Sequence, residues 1–200
     1  MRAEGVSRET QRRLDAFQAL VQKWSPRINL VSRGDLDHLR DRHIADSIQV
    51  ADAGPRSVDH WVDLGSGGGF PGIVVSIMRP DVSRMTLVES DARKTAFLRT
   101  CVRDLELRDV SIVNKRIENL QPMVADVISA RAVAHLTALL QLASPHLIPD
   151  GVALFPKGAN WKDEIEAARR DWDFDFDAIP STTSPTASIL SVRNIRHAPK

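Results

Sequence analysis

The sequence predicts an α/β fold, a mostly parallel sheet of seven strands preceded by a helical segment. Three observations carry this. From residue 60 onward, short apolar runs alternate with longer amphipathic segments. The first of those runs leads straight into VDLGSGGGFPG at 62–72, with five glycines in eight residues. The last two runs, unlike the others, have no helical segment between them. Parallel strands need a crossover, usually a helix, so the alternation implies parallel pairing with both faces of the sheet covered. The final pair implies an antiparallel hairpin.

The elements follow in order. Residues 7–23 have amphipathic helical spacing, with Leu14, Phe17 and Val21 on one face and Trp24 a turn beyond. Ser7 and Thr10 stand where a cap belongs. Pro26, in SPRINLVS, is expected to break this helix. Helical spacing resumes in DLDHLRDRHIADSIQVA, with Leu36, Leu39, Ile44 and Ile48 on one side. Residues 1–52 therefore read as an N-terminal helical extension, and 53–200 as the sheet domain. Strand candidates are 60–64, 84–89, 110–115, 126–131, 151–156, 174–179 and 188–194. Helix candidates are 71–79, 92–106, 117–121, 134–146 and 160–171. That pattern is similar to the seven-stranded sheet of class I methyltransferases.

Charged residues make up 26% and hydrophobic ones 42%, ordinary for a globular chain, and the formal net charge is +1. A single cysteine, Cys101, excludes an internal disulfide and argues against a cysteine–metal site. No metal is expected, and Cys101, inside helix candidate 92–106, is expected to pack. No apolar run approaches the ~18 residues of a membrane span. The charged N-terminus lacks the apolar core of a signal peptide. The expected compartment is a reducing cytoplasm, with no membrane partner. Charge is uneven along the chain. Residues 93–116 hold seven Lys or Arg against three acids, and 23–42 hold five against three. Each is a solvated face on its own. Together, flanking a ligand loop, they make nucleic acid a partner worth testing.

In an open α/β sheet, ligands bind beyond the carboxyl ends of the strands, where the glycine loop lies. Gly67-x-Gly69-x-x-Gly72 fits a dinucleotide motif, while Asp63-x-Gly65-x-Gly67-x-Gly69 fits a methyltransferase one. The first is weak evidence alone, so Asp63 decides. A carboxylate at the mouth of the loop repels a pyrophosphate but suits the sulfonium and ammonium groups of S-adenosylmethionine (SAM). A cap or turn role for Asp63 is the plain alternative. Glu89 ends the second strand, where it can accept from both ribose hydroxyls; NAD would use the same device. An NAD oxidoreductase is disfavoured by Asp63 and by the absence of tyrosine. After the third strand, the Ile117 backbone and Glu118 side chain can meet the adenine, unless Glu118 merely caps a short helix. Arg131 closes the fourth strand and can bind the methionine carboxylate or a substrate phosphate or carbonyl.

Several blocks resemble the bacterial small-subunit ribosomal RNA guanine-N7 methyltransferases, the RsmG or GidB family. They are KWSPRINLVS (23–32), RHIADSI (42–48), DLGSGGGFPGIVVSI (63–77), VESDARKTAFL (88–98), ARAVAHL (130–136) and PKG (156–158), spread over roughly residues 14–158. Phe70-Pro71 after the glycines is more specific than the glycines alone. Ser25 stands where Asn is usual in the family, and His135 where Pro is common. The resemblance implies methylation of N7 of guanine 527, in the 530 loop of 16S ribosomal RNA, in free RNA or the small subunit. It also implies SAM contacts at Gly65, Phe70, Ile117, Glu118 and Arg131. Methylation of another RNA site, or of a non-RNA substrate, is the alternative.

Guanine N7 has a lone pair and no proton, so the reaction needs alignment rather than a general base. Positioning residues are therefore expected, and a cation reading O6 suits better than one crowding N7. Arg131 and Lys157 end neighbouring strand candidates and can supply it or hold phosphate. His43, with Arg42, can form the opposite wall, or can be a buried helix histidine. Trp24 is expected in the core.

Overall fold

The computed structural model describes residues 6–199. The first five residues of the expected helical extension, and Lys200, lie outside the described residues. The elements are α1 (Arg8–Ile28), α2 (Ala45–Ala53), β1 (His60–Leu64), α3 (Gly72–Met78), β2 (Arg84–Val88), α4 (Ala92–Asp104), β3 (Val110–Val113), β4 (Ala125–Ala130), α5 (Leu136–Ala143), β5 (Leu147–Lys157), α6 (Trp161–Ala168), β6 (Trp172–Pro180) and β7 (Ser188–His197). Seven strands form one sheet in the order β3-β2-β1-β4-β5-β7-β6. The first five in that order pair in parallel, and β7 runs antiparallel to both β5 and β6. The expected fold class and the terminal hairpin are both present.

Two apolar clusters cover the two faces. One joins Leu14, Phe17 and Val21 of α1 to Ile73 and Val74 of α3 and Phe97 of α4. The other joins Leu136 and Leu140 of α5, Ile165 of α6 and Phe155 of β5. Trp24 packs on Phe97 with ring centroids 5.7 Å apart, in the core as expected. Cys101 is buried, and burial together with Asp104 pushes its thiol pKa up, so no thiolate forms near neutrality.

Two expectations in the helical segment are corrected. Pro26 does not end α1, which runs on to Ile28 and closes on Asn29 in the left-handed conformation. A proline removes one backbone donor. Here that loss falls in the last turn, while Trp24 and Ile28 still pack against the core. The second helix is not continuous either. A 3₁₀ segment (Arg33–His38) and a π-helical turn (Leu39–Ile44) precede α2. Leu39 and Ile44 are five residues apart, and the π turn brings both into the core. The expected helix at 117–121 is a single 3₁₀ turn, Ile117–Asn119.

Candidate active site

Register places the site. Leu64, the last residue of β1, lies opposite Val88 of β2 and Ala130 of β4, and Val88 lies opposite Val113 of β3. The next residues, Gly65, Glu89, Asn114 and Arg131, therefore leave the sheet along one edge. Gly65, Gly67 and Gly69 all have positive φ, at 67°, 52° and 84°, which a side chain would strain.

The glycines differ in what a Cβ would meet. At Gly65 it would stand 2.6 Å from Val133, and at Gly69 2.8 Å from Ile73 and 3.0 Å from Phe17. Those two are demanded by packing. At Gly67 the nearest neighbour is the Gly65 carbonyl at 3.7 Å, so this position faces open space. The Gly67 N–H donates to Glu89 Oε2 at 2.9 Å, and the Asp91 N–H donates to Oε1 at 2.7 Å. Glu89 thus ties the glycine loop to the end of β2. The Asn114 amide holds that end from the other side, donating to the Glu89 and Ser90 carbonyls at 2.9 and 3.0 Å.

Asp63 is not at the mouth of the loop, contrary to expectation. Its side chain is fully buried beneath it. Ser129 Oγ donates to Oδ1 at 2.6 Å and the Gly72 N–H to Oδ2 at 3.2 Å, so the carboxylate binds β4 and the start of α3. Burial pushes its pKa up to about 6 despite those hydrogen bonds. The reason is period two along β1: Val62 and Leu64 face one layer, while Asp63 points into the other.

Phe70 joins the loop to the helical segment. Its ring lies 5.1 Å from Phe17 and 5.4 Å from His43, and the Arg131 guanidinium sits over it at 5.1 Å. His43, Phe70 and Arg131 lie on separate segments of the sequence, and the fold brings them together. Neither ring nitrogen of His43 has a hydrogen-bond partner, and Asp35 stands 3.6 Å from Nε2. Burial and then Arg131 hold its pKa below the usual histidine value. Burial likewise draws the Arg131 pKa down, opposed by Asp46, Asp63 and Asp35. Ile117 is half-buried and Glu118 exposed, in the turn beyond β3.

Lys157, at the end of β5, is only 8% exposed. Its ammonium pairs with Glu164 Oε2 at 2.6 Å and donates to the Ala134 carbonyl at 3.0 Å. Glu164 also accepts from the Leu136 N–H at 2.7 Å, capping α5, whose own cap residue His135 supplies no side-chain bond. A cavity of about 380 Å³ opens between α2, the ends of β4 and β5, and the β6–β7 loop. Arg131 and Lys157 line it, as do Asp46, Gln49 and Thr183. Asp46, Gln49, Asn114 and Ser129 escape a sequence reading, because their partners are 24 to 137 residues away, and so does Glu164, whose bond to the Leu136 N–H spans 28. Only Glu164 has a local signal, a carboxylate in the first turn of a helix. Among the described residues, no cluster of His, Cys, Asp and Glu is placed to hold a metal ion.

The model of one family matches residues 10–188, and its description is rRNA small subunit methyltransferase G. The chain belongs to the GidB family. Two relatives named ribosomal RNA small subunit methyltransferase G are similar to it along nearly their whole length. That of Ruegeria sp. (strain TM1040) is 50% identical over 95% of this chain and 93% of its own. That of Ruegeria pomeroyi is 49% identical over 95% and 94%. The GidB-family fold is also that of the N-methyltransferase NodS from Bradyrhizobium japonicum, solved with S-adenosyl-L-homocysteine. The two share 15% identity and a TM-score of 0.56 over 90% of this chain and 99% of that one. The sheet is thus the class I SAM-dependent methyltransferase sheet, and in this GidB-family chain the helical segment supplies His43 and Asp46 to its carboxyl edge.

Proposed function

We propose that this chain transfers a methyl group from SAM to N7 of guanine 527, in the 530 loop of 16S ribosomal RNA. The observation that carries the reading is the loop edge itself. Gly67 faces open space at positive φ, with Glu89 beside it and Arg131 a strand away. Family membership and the names of the relatives support ribosomal RNA of the small subunit as the substrate.

The edge suits SAM, and with Asp63 under the loop it is membership of a methyltransferase family that favours SAM over a dinucleotide. Gly67 lets a ligand approach the backbone, Glu89 offers acceptors for ribose hydroxyls, and Ile117 with Glu118 stands where the adenine would lie. Asp63 lies below the loop and contributes negative charge from beneath, without touching the ligand. When bound, SAM supplies an electrophilic methyl on a positively charged sulfur. The protein's task is to bring N7 into line with it. No general base is required, because N7 carries no proton to remove. Arg131 is the cation for guanine O6 or the methionine carboxylate. Lys157 is already paired with Glu164, so it acts first as a brace for α5 and the cavity wall. The place of work would be the cytoplasm, where ribosomes are found.

The test compares 16S ribosomal RNA from cells with and without the gene. A 7-methylguanine carries a fixed positive charge, which makes the site cleavable by reduction and aniline, and mass spectrometry checks its identity. Loss of the signal at guanine 527 in the deletion strain is expected. An unchanged signal there would refute the assignment, and a methyl missing elsewhere would move the target to another site.

A further inference from the structure

The 380 Å³ cavity beside Arg131 contains more charge than the fold requires. Most of it is matched. Arg42 pairs with Asp35 at 2.7 Å, and Lys157 with Glu164 at 2.6 Å. Among the described residues, two cavity charges enter no ion pair: Arg131 at the end of β4 and Asp46 on α2. They act on one another electrostatically, yet no contact joins them. Both line the cavity.

Asp46 is also held in place. Thr183 Oγ1 donates to Asp46 Oδ1, and among the described residues no hydrogen bond is made to Oδ2. Gln49, one turn on, fastens the same loop. It donates to the Pro180 carbonyl at 2.6 Å and accepts from the Thr182 N–H at 3.1 Å. The β6–β7 loop is therefore pinned across α2, which fixes the carboxylate's position before any substrate arrives. The cavity's size lies within the usual range for small-ligand sites, ~300–1,000 Å³.

A guanine has acceptors N7 and O6 on one edge, and the donors N1–H and the exocyclic amine on the next. Methylation at N7 turns the acceptor edge toward the methyl donor and pushes the two donors away from it. A fixed carboxylate opposite a cation has that complementarity. Adenine has an acceptor at N1 where guanine has a donor, and a carboxylate would repel it. We propose that this cavity receives the target guanine, and that Asp46 selects it by accepting from N1–H and the exocyclic amine. The inference rests on the guanine-N7 reading of the same site.

The experiment measures kcat/KM for methyl transfer to small subunits reconstituted with guanosine or inosine at the target position. Inosine keeps N7, O6 and N1–H but lacks the amine. The unaltered protein is expected to lose about 10-fold on inosine. Asp46→Asn is expected to lose about 10- to 100-fold on guanosine, the range for one bidentate base contact. It should also become indifferent to inosine, within about 2-fold, and bind SAM as before in calorimetric titration. A purely structural role for Asp46 would lower both substrates equally and preserve the inosine penalty, which would overturn the proposal. So would equal turnover of guanosine and inosine by the unaltered protein, a result that needs no folded variant. No transfer to guanosine by the unaltered protein would instead refute the underlying substrate reading.

Discussion

Gly67 and Gly69 look alike in the sequence and do different jobs. An alanine at Gly69 would drive into Ile73 and Phe17, so Gly69→Ala is expected to destabilise the fold by a few kcal/mol, read as a lowered Tm. Gly67→Ala meets open space, so its stability cost is the left-handed strain alone, about 1 kcal/mol. Its cost in SAM affinity is expected to be 10-fold or more by calorimetric titration, and wild-type affinity would sink the loop assignment. The two buried titrating groups near the loop pull stability in opposite directions. Asp63 has a folded pKa raised by burial to about 6, well above the ordinary aspartate value. The folded form holds its proton longer, so its contribution is full below pH ~4, falls between about 4 and 6, and stays lost above, by up to ~3 kcal/mol. His43 has a lowered folded pKa, so the unfolded chain takes up the proton first and stability falls as pH drops below about 6.5. His43→Phe keeps a ring against Phe70 and is expected to remove that acid-side loss. Parallel melting curves of wild type and variant from pH 7 to 5 would refute it.

At the scale of elements, long-range side-chain caps do what local sequence does elsewhere. α4 is capped by its own Asp91, which accepts from the Arg93 and Lys94 N–H groups. The first N–H of α5 is instead satisfied by Glu164 of α6, which at the same time neutralises Lys157. Both partners are mostly buried, at 8% and 17% exposure. Removing one charge of such a pair leaves the other uncompensated, typically ~3–5 kcal/mol before allowance for residual solvent. Glu164→Gln is expected to cost ~2–4 kcal/mol by denaturant unfolding. The double variant Lys157→Met with Glu164→Gln is expected to recover part of it. Additive costs would mean the ion pair does not couple the two elements. The same logic explains the misread helix boundaries. Pro26 and the π turn at Leu39–Ile44 are local penalties that α1 and α2 tolerate because Trp24, Ile28, Leu39 and Ile44 bury against the sheet layer.

At the scale of the molecule, the sheet divides the basic segment 93–116. Helix α4 runs back antiparallel to β2, so Arg93 stands near the loop edge and Arg103 near the opposite end. Arg108 precedes β3 at its amino end, and Lys115 and Arg116 follow it at the carboxyl end, beside the site. One apparent basic face is two. Ribosomal RNA held at the carboxyl edge would meet Lys115 and Arg116, both exposed, and miss Arg108. Reversing both charges, Lys115→Glu with Arg116→Glu, is expected to weaken RNA binding and lower the salt slope by about 2, since each phosphate contact contributes roughly one unit. Arg108→Glu is expected to leave that slope unchanged. Equal effects from both changes would place the RNA elsewhere.

The sequence alone determined the alternation of strands and helices, the terminal hairpin, the glycine loop and the ordered blocks of the family. Those are signals of periodicity, backbone permissiveness and adjacency, written within a few residues of one another. Only the tertiary structure decided that Asp63 lies under the loop and not at its mouth, because a one-residue alternation along β1 sets which layer a side chain enters. It alone brought His43 and Arg131 against Phe70, and set Asp46 and Arg131 on the wall of one cavity. These contacts join residues far apart in the chain, and their energy comes from burial and charge pairing, which exist only once the sheet has brought its carboxyl ends to one edge.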